Sequence, residues 1–108
     1  MKALLESTKT RQHRYEQACR LLIRGRTREA KTIFNQLAAE DPQNRRYRAR
    51  VMHATAVELR EDGKLDEAIR ELERAVLHDP ELADMQDALK KLVAERGKGG
   101  IFSKIFGR

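Results

Sequence analysis

Few side chains in this sequence are equipped for chemistry of their own. The histidines are His13, His53 and His78, and the one cysteine is Cys19. No two histidines stand four apart on a helix, and neither Cys-x-x-Cys nor His-Glu-x-x-His occurs, so the spacing of a metal centre is missing. There is no Gly-x-x-x-x-Gly-Lys-Ser/Thr loop to cradle a phosphate and no Gly-x-Ser-x-Gly turn to present a nucleophile. Nucleophile, base and orienting group cannot be assembled. The expectation is a chain that is not an enzyme and that needs neither metal nor cofactor. Cys19 reads as a small packing residue, and His78, beside Asp79-Pro80, as an exposed one. What the chain offers instead is arginine, densest at Arg45, Arg46, Arg48 and Arg50, whose guanidinium grips carboxylate or phosphate with two parallel hydrogen bonds.

These groups sit on a chain of 108 residues with a net charge of +6 and 37 % charged residues. That is the length of one small domain with a modest core. Residues 1–54 hold 13 basic against 5 acidic side chains and residues 55–108 hold 10 against 12, so the first half carries +8 and the second −2. The imbalance suits an acidic partner for the first half, or self-association. One cysteine excludes an internal disulfide framework, the apolar runs are too short for a membrane span, and residues 1–10 lack the apolar stretch of a secretory signal. A cytoplasmic setting is expected.

The sequence repeats. Gly25 and Gly63 stand 38 residues apart, as do Ala30 and Ala68, Phe34 and Leu72, and the pairs Asp41-Pro42 and Asp79-Pro80. Four coincident offsets make the chain an internal duplication. Within each unit the apolar period is helical. Tyr15, Ala18, Cys19, Leu21, Leu22 and Ile23 form one stripe, ended by Gly25, and Ala30, Ile33, Phe34, Leu37 and Ala38 form the next, ending near Glu40. Asp41 is placed as an N-cap with Pro42 in the first helical position. Val51, Met52, Thr55, Ala56 and Leu59, then Leu65, Ala68, Ile69, Leu72, Val76 and Leu77, repeat the scheme. A fifth helix follows Asp79-Pro80, with Leu82, Met85, Leu89, Leu92 and Val93 on one stripe and an end near Arg96, before Gly97-Lys98-Gly99-Gly100.

The order of a small residue, a Gly turn, Ala-x-x-x-Phe and Pro resembles the tetratricopeptide repeat (TPR) family. Ala18 and Ala56 fall on its small position, Ala30 and Ala68 on its crossing alanine, Phe34 and Leu72 on its large apolar residue, and Pro42 and Pro80 on its terminal proline. Arg14 and Met52 stand where the family has Trp, Gln17 and Thr55 where it has Leu, and the period is 38 rather than about 34. The resemblance covers residues 11–96. It implies an all-α, right-handed array of two helix–turn–helix repeats and a capping helix. The expected parts are an N-terminal extension at 1–10, repeat 1 at 11–44, repeat 2 with an extended first helix at 45–80, the cap at 81–96, and a Gly-rich joint with an amphipathic tail at 97–108. Two repeats are fewer than such arrays usually need, so a cap or a second copy must cover the remaining apolar surface.

The resemblance also implies the function: a concave groove, lined by the first helix of each pair, that holds a peptide. In this sequence the lining would be Gln12, Tyr15, Cys19 and Leu22 from the first repeat, and Arg50, His53, Val57 and Arg60 from the second. That surface is part apolar and part basic, suited to an acidic peptide or a C-terminal carboxylate. The Lys/Asn set of chaperone-binding members is missing. The tail places Ile101, Phe102, Ile105 and Phe106 on one side of a short helix, read first as a docking motif for the groove or a neighbouring molecule, with disorder and weak membrane-surface binding as the competing readings, and its Gly-rich joint resembles the C-termini of bacterial TPR proteins. Eight residues are too few to anchor a membrane. The expectation is an adaptor or assembly factor with a protein partner, with homo-oligomers allowed. The alternative is a basic nucleic-acid-binding protein, disfavoured because Tyr47 is the one aromatic among the arginines and no stacking platform exists.

Overall fold

A computed structural model of the chain describes the backbone of residues 2–105 and the side chains of residues 10–98. It contains five helices and, among the described residues, no strand: α1 (Lys2–Ile23), α2 (Thr27–Glu40), α3 (Arg45–Glu61), α4 (Leu65–His78) and α5 (Ala83–Ile105). Turns at 24–26, 41–44, 62–64 and 79–82 fold each helix back on its predecessor. The main packing pairs are α1 with α2, α2 with α3, α3 with α4 and α4 with α5, so each helix rests chiefly on its neighbours in sequence. No described helix is long and apolar enough to cross a membrane.

The 38-residue period governs the helix boundaries. α1 ends at Ile23 and α3 at Glu61, α2 and α4 begin at Thr27 and Leu65, and α3 and α5 begin at Arg45 and Ala83. α5 is therefore in register with the first helix of a further unit. Each first helix ends in the same way. Gly25 and Gly63 take φ of 83° and 81°, the left-handed region that glycine enters at no steric cost. The amide of Gly25 donates to the Leu22 carbonyl at 3.1 Å and that of Arg26 to Leu21 at 2.9 Å; Gly63 to Arg60 and Lys64 to Leu59 repeat the pair at 3.0 and 2.8 Å.

The Asp-Pro pairs serve differently from the sequence expectation. They end α2 and α4 rather than starting the next helix. Proline disfavours helical backbone in the residue before it, and Asp41 and Asp79 accordingly leave the helix at φ −138° and −144°. The cap of α3 is Asn44, whose Oδ1 accepts from the Tyr47 amide at 3.2 Å. Two other boundaries move. α1 begins within the segment assigned to an extension, and α5 passes through the glycine run to Ile105 instead of ending near Arg96. Leu4, Leu5 and the proposed docking residues Ile101, Phe102, Ile105 and Phe106 have side chains outside the described residues.

Small residues let the helices approach. Ala18, Ala30, Ala56 and Ala68 are fully buried, at equivalent places in the two units, around Phe34 and Leu72. α3 is shared by both halves of the core. Tyr47 and Ala54 join Tyr15, Phe34 and Leu37, while Ala49 and Ala56 join Ile69, Leu72, Leu82, Met85 and Leu92. Tyr15 meets Phe34 edge to face and Tyr47 at a tilt, both with ring centres 5.9 Å apart. Not every stripe residue goes inside: Ile23 is 86 % exposed, Leu77 80 % and Val93 41 %.

Glycine substitutions test these boundaries. An added Cβ meets nothing within 4 Å at Gly63 or Gly97, so backbone conformation alone decides the outcome. Gly63→Ala should cost about 1–2 kcal/mol in urea denaturation because it forces an L-residue to positive φ. Gly97→Ala should stabilise by about 0.5–1 kcal/mol if the helix passes through it. A loss of stability in Gly97→Ala would put the end of α5 near Arg96 after all.

Candidate functional site

The first helices of the units, α1, α3 and α5, meet around one buried arginine. Arg50, 6 % exposed, donates from Nε to the Tyr15 hydroxyl at 2.8 Å and from Nη1 and Nη2 to the two carboxylate oxygens of Asp84 at 2.7 and 3.2 Å. Its Nη1 also stands 3.1 Å from Nδ1 of His53. A guanidinium has no acceptor, so Nδ1 must accept and the proton of a neutral ring sits on Nε2. The guanidinium lies 5.6 Å from the centre of the Tyr15 ring. Three helices are thus tied to one cation.

The electrostatics follow from this arrangement. Burial and the charge of Arg50 push His53 down from 6.5 to about 4, so the ring is neutral at pH 7. Burial raises the Tyr15 hydroxyl to about 12 against the opposing pull of Arg50. Burial also raises the Cys19 thiol, which argues against a reactive thiolate. Desolvation pushes the Asp84 carboxyl up, but its hydrogen bonds with Arg50 and the attraction of that charge outweigh it, and the carboxyl titrates below the ordinary range.

Two shallow concavities of about 260 Å³ each adjoin this cluster. One is lined by Cys19, Leu22, Ile23, Arg50, His53, Val57 and Asp84. The other is lined by Ala56, Leu72, Ala88 and Leu92 together with Arg60, Lys91 and Glu95. They share His53 and Val57. Of the lining expected from sequence, Cys19, Leu22, Arg50, His53 and Val57 therefore meet in one hollow and Arg60 lies in the next. Gln12 and Tyr15 fall in a separate hollow with Asn44, Arg45, Arg46, Tyr47, Asp79 and Glu81. Gln12 is exposed and its side chain donates to Glu16 at 3.1 Å, while Tyr15 is buried.

The arginines differ most from expectation. Both are expected to meet a ligand carboxylate, and both already hold one from α5. Arg60 binds Glu95 through Nε and Nη2, at 3.1 and 2.8 Å to the same oxygen. Asp84, Glu95 and Lys91 are the site residues that sequence reasoning missed. A signal did exist. Tyr15 to Arg50, Arg50 to Asp84 and Arg60 to Glu95 are separated by 35, 34 and 35 residues, one repeat less about one helical turn. Opposite charges at that spacing mark contacts between successive first helices. Among the described residues, no group of His, Cys, Asp and Glu is placed to hold a metal ion.

No protein-family model matches the chain, and no curated protein or solved structure matches it either.

The His53 shift gives a pH dependence of stability. The unfolded ring takes a proton near 6.5 and the folded one near 4. Between these values the unfolded state binds more protons, so stability is full above about 6.5 and falls as the pH drops towards 4, by roughly 3 kcal/mol in all. Urea midpoints at pH 7.5 and 4.5 should differ much less in His53→Gln than in the wild-type chain. Parallel pH profiles would mean that His53 is not held neutral.

Proposed function

We propose that the chain is a TPR-like, right-handed helical array, capped by α5, that acts as a protein–protein interaction module, an adaptor or assembly factor without chemistry of its own. The fold part of this reading is supported by the 38-residue phase of the helices, the paired glycine turns and the neighbour-on-neighbour packing. The function part is carried by one observation. The two concavities join at His53 and Val57, on the face formed by the first helices, and their walls are apolar on a chain with 37 % charged residues. Ile23, at the mouth of the first, is exposed with no apolar cover, as suits a surface completed by a partner.

The bound segment is a peptide anchored by apolar side chains, with its acidic character read at Lys91 rather than at the arginines. Arg50 and Arg60 are neutralised within the chain, whereas Lys91 lines the second concavity and makes no ion pair among the described residues. Nucleic acid has less to work with than the sequence suggests. Of the arginine run, Arg50 is buried and Arg46 lies 3.6 Å from Asp79, leaving Arg45 and Arg48 outward.

A photo-crosslinker in place of Leu22 should capture a protein from native lysate. The same group at Glu73, exposed on α4, should not, and Val57→Asp should abolish the Leu22 capture. Equal capture from both positions, or capture of nuclease-sensitive material alone, would defeat the groove.

A further inference from the structure

His53 carries an unused hydrogen-bonding group at the junction of the two concavities. The ring is 7 % exposed and lines both. Its Nδ1 is committed to Arg50, which fixes the tautomer and leaves the proton on Nε2. Nε2 has no hydrogen-bond partner among the described residues, yet it is not sealed from solvent. Water can therefore meet this N–H in the free chain, and a ligand that displaces that water has to supply an acceptor of its own. Apolar surface flanks it on both sides: Leu22, Ile23 and Val57 on one, Ala56, Leu72, Ala88 and Leu92 on the other.

We propose that His53 is the specificity-determining donor of the groove. Its Nε2–H binds one backbone carbonyl oxygen of a peptide whose apolar side chains on either side of that carbonyl enter the two concavities, and whose acidic residue meets Lys91. This rests on the groove proposed above. The choice of occupant comes from charge. The groove holds Arg50, Arg60 and Lys91 against Asp84 and Glu95, and His53 is neutral, so it carries one unmatched positive charge. The chain's own segment 101–108 has the apolar residues but brings Lys104 and Arg108, the wrong sign. Arg50 acts as a positioning residue, since it contacts the ring and not the peptide. A donor that the ligand itself covers punishes any ligand lacking the acceptor, which is how a small, shallow groove acquires selectivity.

The test uses the full-length chain and a displayed library of short random peptides, followed by titration of the selected peptides. The selected sequences should combine two apolar residues with an acidic one. His53→Asn keeps an oxygen for Arg50 but withdraws the donor from the groove; His53→Gln keeps an N–H near the Nε2 position. Affinity should fall on the order of tenfold in His53→Asn and recover to within about twofold in His53→Gln, the contribution expected of one desolvated hydrogen bond. Val57→Asp should abolish binding, and a synthetic peptide of residues 101–108 should bind far more weakly than the selected ones. Thermal melts confirm that each variant is folded. Wild-type affinity in His53→Asn, with binding lost in Val57→Asp, would overturn the donor and leave the groove standing. Unchanged binding in Val57→Asp, or no peptide selected at all, would overturn both. Tight binding of the 101–108 peptide would replace the acidic partner by a second copy of the chain.

Discussion

Placing Arg50 inside the array decides what most of its surroundings can do. A buried guanidinium is tolerated only when its donors are met, and here four contacts to three side chains on three helices meet them. Each contact removes a freedom. The Tyr15 hydroxyl becomes an acceptor inside the molecule instead of an anchor for a ligand. His53 must present a lone pair to the cation, so it stays neutral. The carboxylate of Asp84, although it reaches solvent, is turned inward and ties the first turn of α5 to the middle of α3. Such a cluster adds little net stability over apolar packing of the same volume. What it supplies is direction: α1 and α5 are held at set positions on either side of α3, and the concavities exist because they are.

The repeat explains why the site occurs once. In the 38-residue register, Gln12, Arg50 and Ala88 are equivalent, as are Tyr15, His53 and Lys91, Cys19, Val57 and Glu95, and Leu22, Arg60 and Lys98. Backbone and core keep the symmetry, with alanines at the crossings and glycine at the turns. The inner face breaks it, running from mostly apolar on α1, through mixed on α3, to mostly charged on α5. The charged residues on α5 can face water. At α3, where the gradient crosses over, apolar walls and a positioned polar group coincide.

That division also marks what was legible in the sequence. Period, helix count and turn glycines depend on local pattern and steric rules, and these could be read directly. The Asp-Pro boundary was misplaced because two local rules compete there. An Asp-Pro pair can begin a helix, but it also forces the residue before proline out of one, and the cap that prevails is Asn44, two residues beyond the proline. The glycine run after Arg96 reads as a break, yet no positive φ occurs among described residues beyond Gly63, so nothing in the backbone requires one. In the site, Cys19, Leu22, Arg50, His53 and Val57, which the family resemblance implies together, line one hollow. Their state was not legible: spacing cannot tell that Arg50 is spoken for, because the carboxylate that takes it lies about one repeat away. Lys91 escaped for the converse reason: it lines the second concavity and makes no ion pair among the described residues.

The same pairing changes the meaning of the charge imbalance between the halves. A +8 segment followed by a −2 segment looks like a surface waiting for an acidic partner. In the folded chain, Lys31 pairs with Glu58 at 2.8 Å, Arg46 with Asp79 at 3.6 Å and Arg50 with Asp84 at 2.7 Å, each a base from the first half with an acid from the second. Part of the imbalance is therefore internal complementarity, used to tie the helices to one another. Exposed pairs of this kind contribute little each, and the one that orders its surroundings is the buried one. On the proposed reading, an acidic partner would be recognised by what the fold leaves over. Among the described residues of the two concavities this is a single lysine beside apolar walls and one imidazole N–H, which would select by shape and by one hydrogen bond more than by charge.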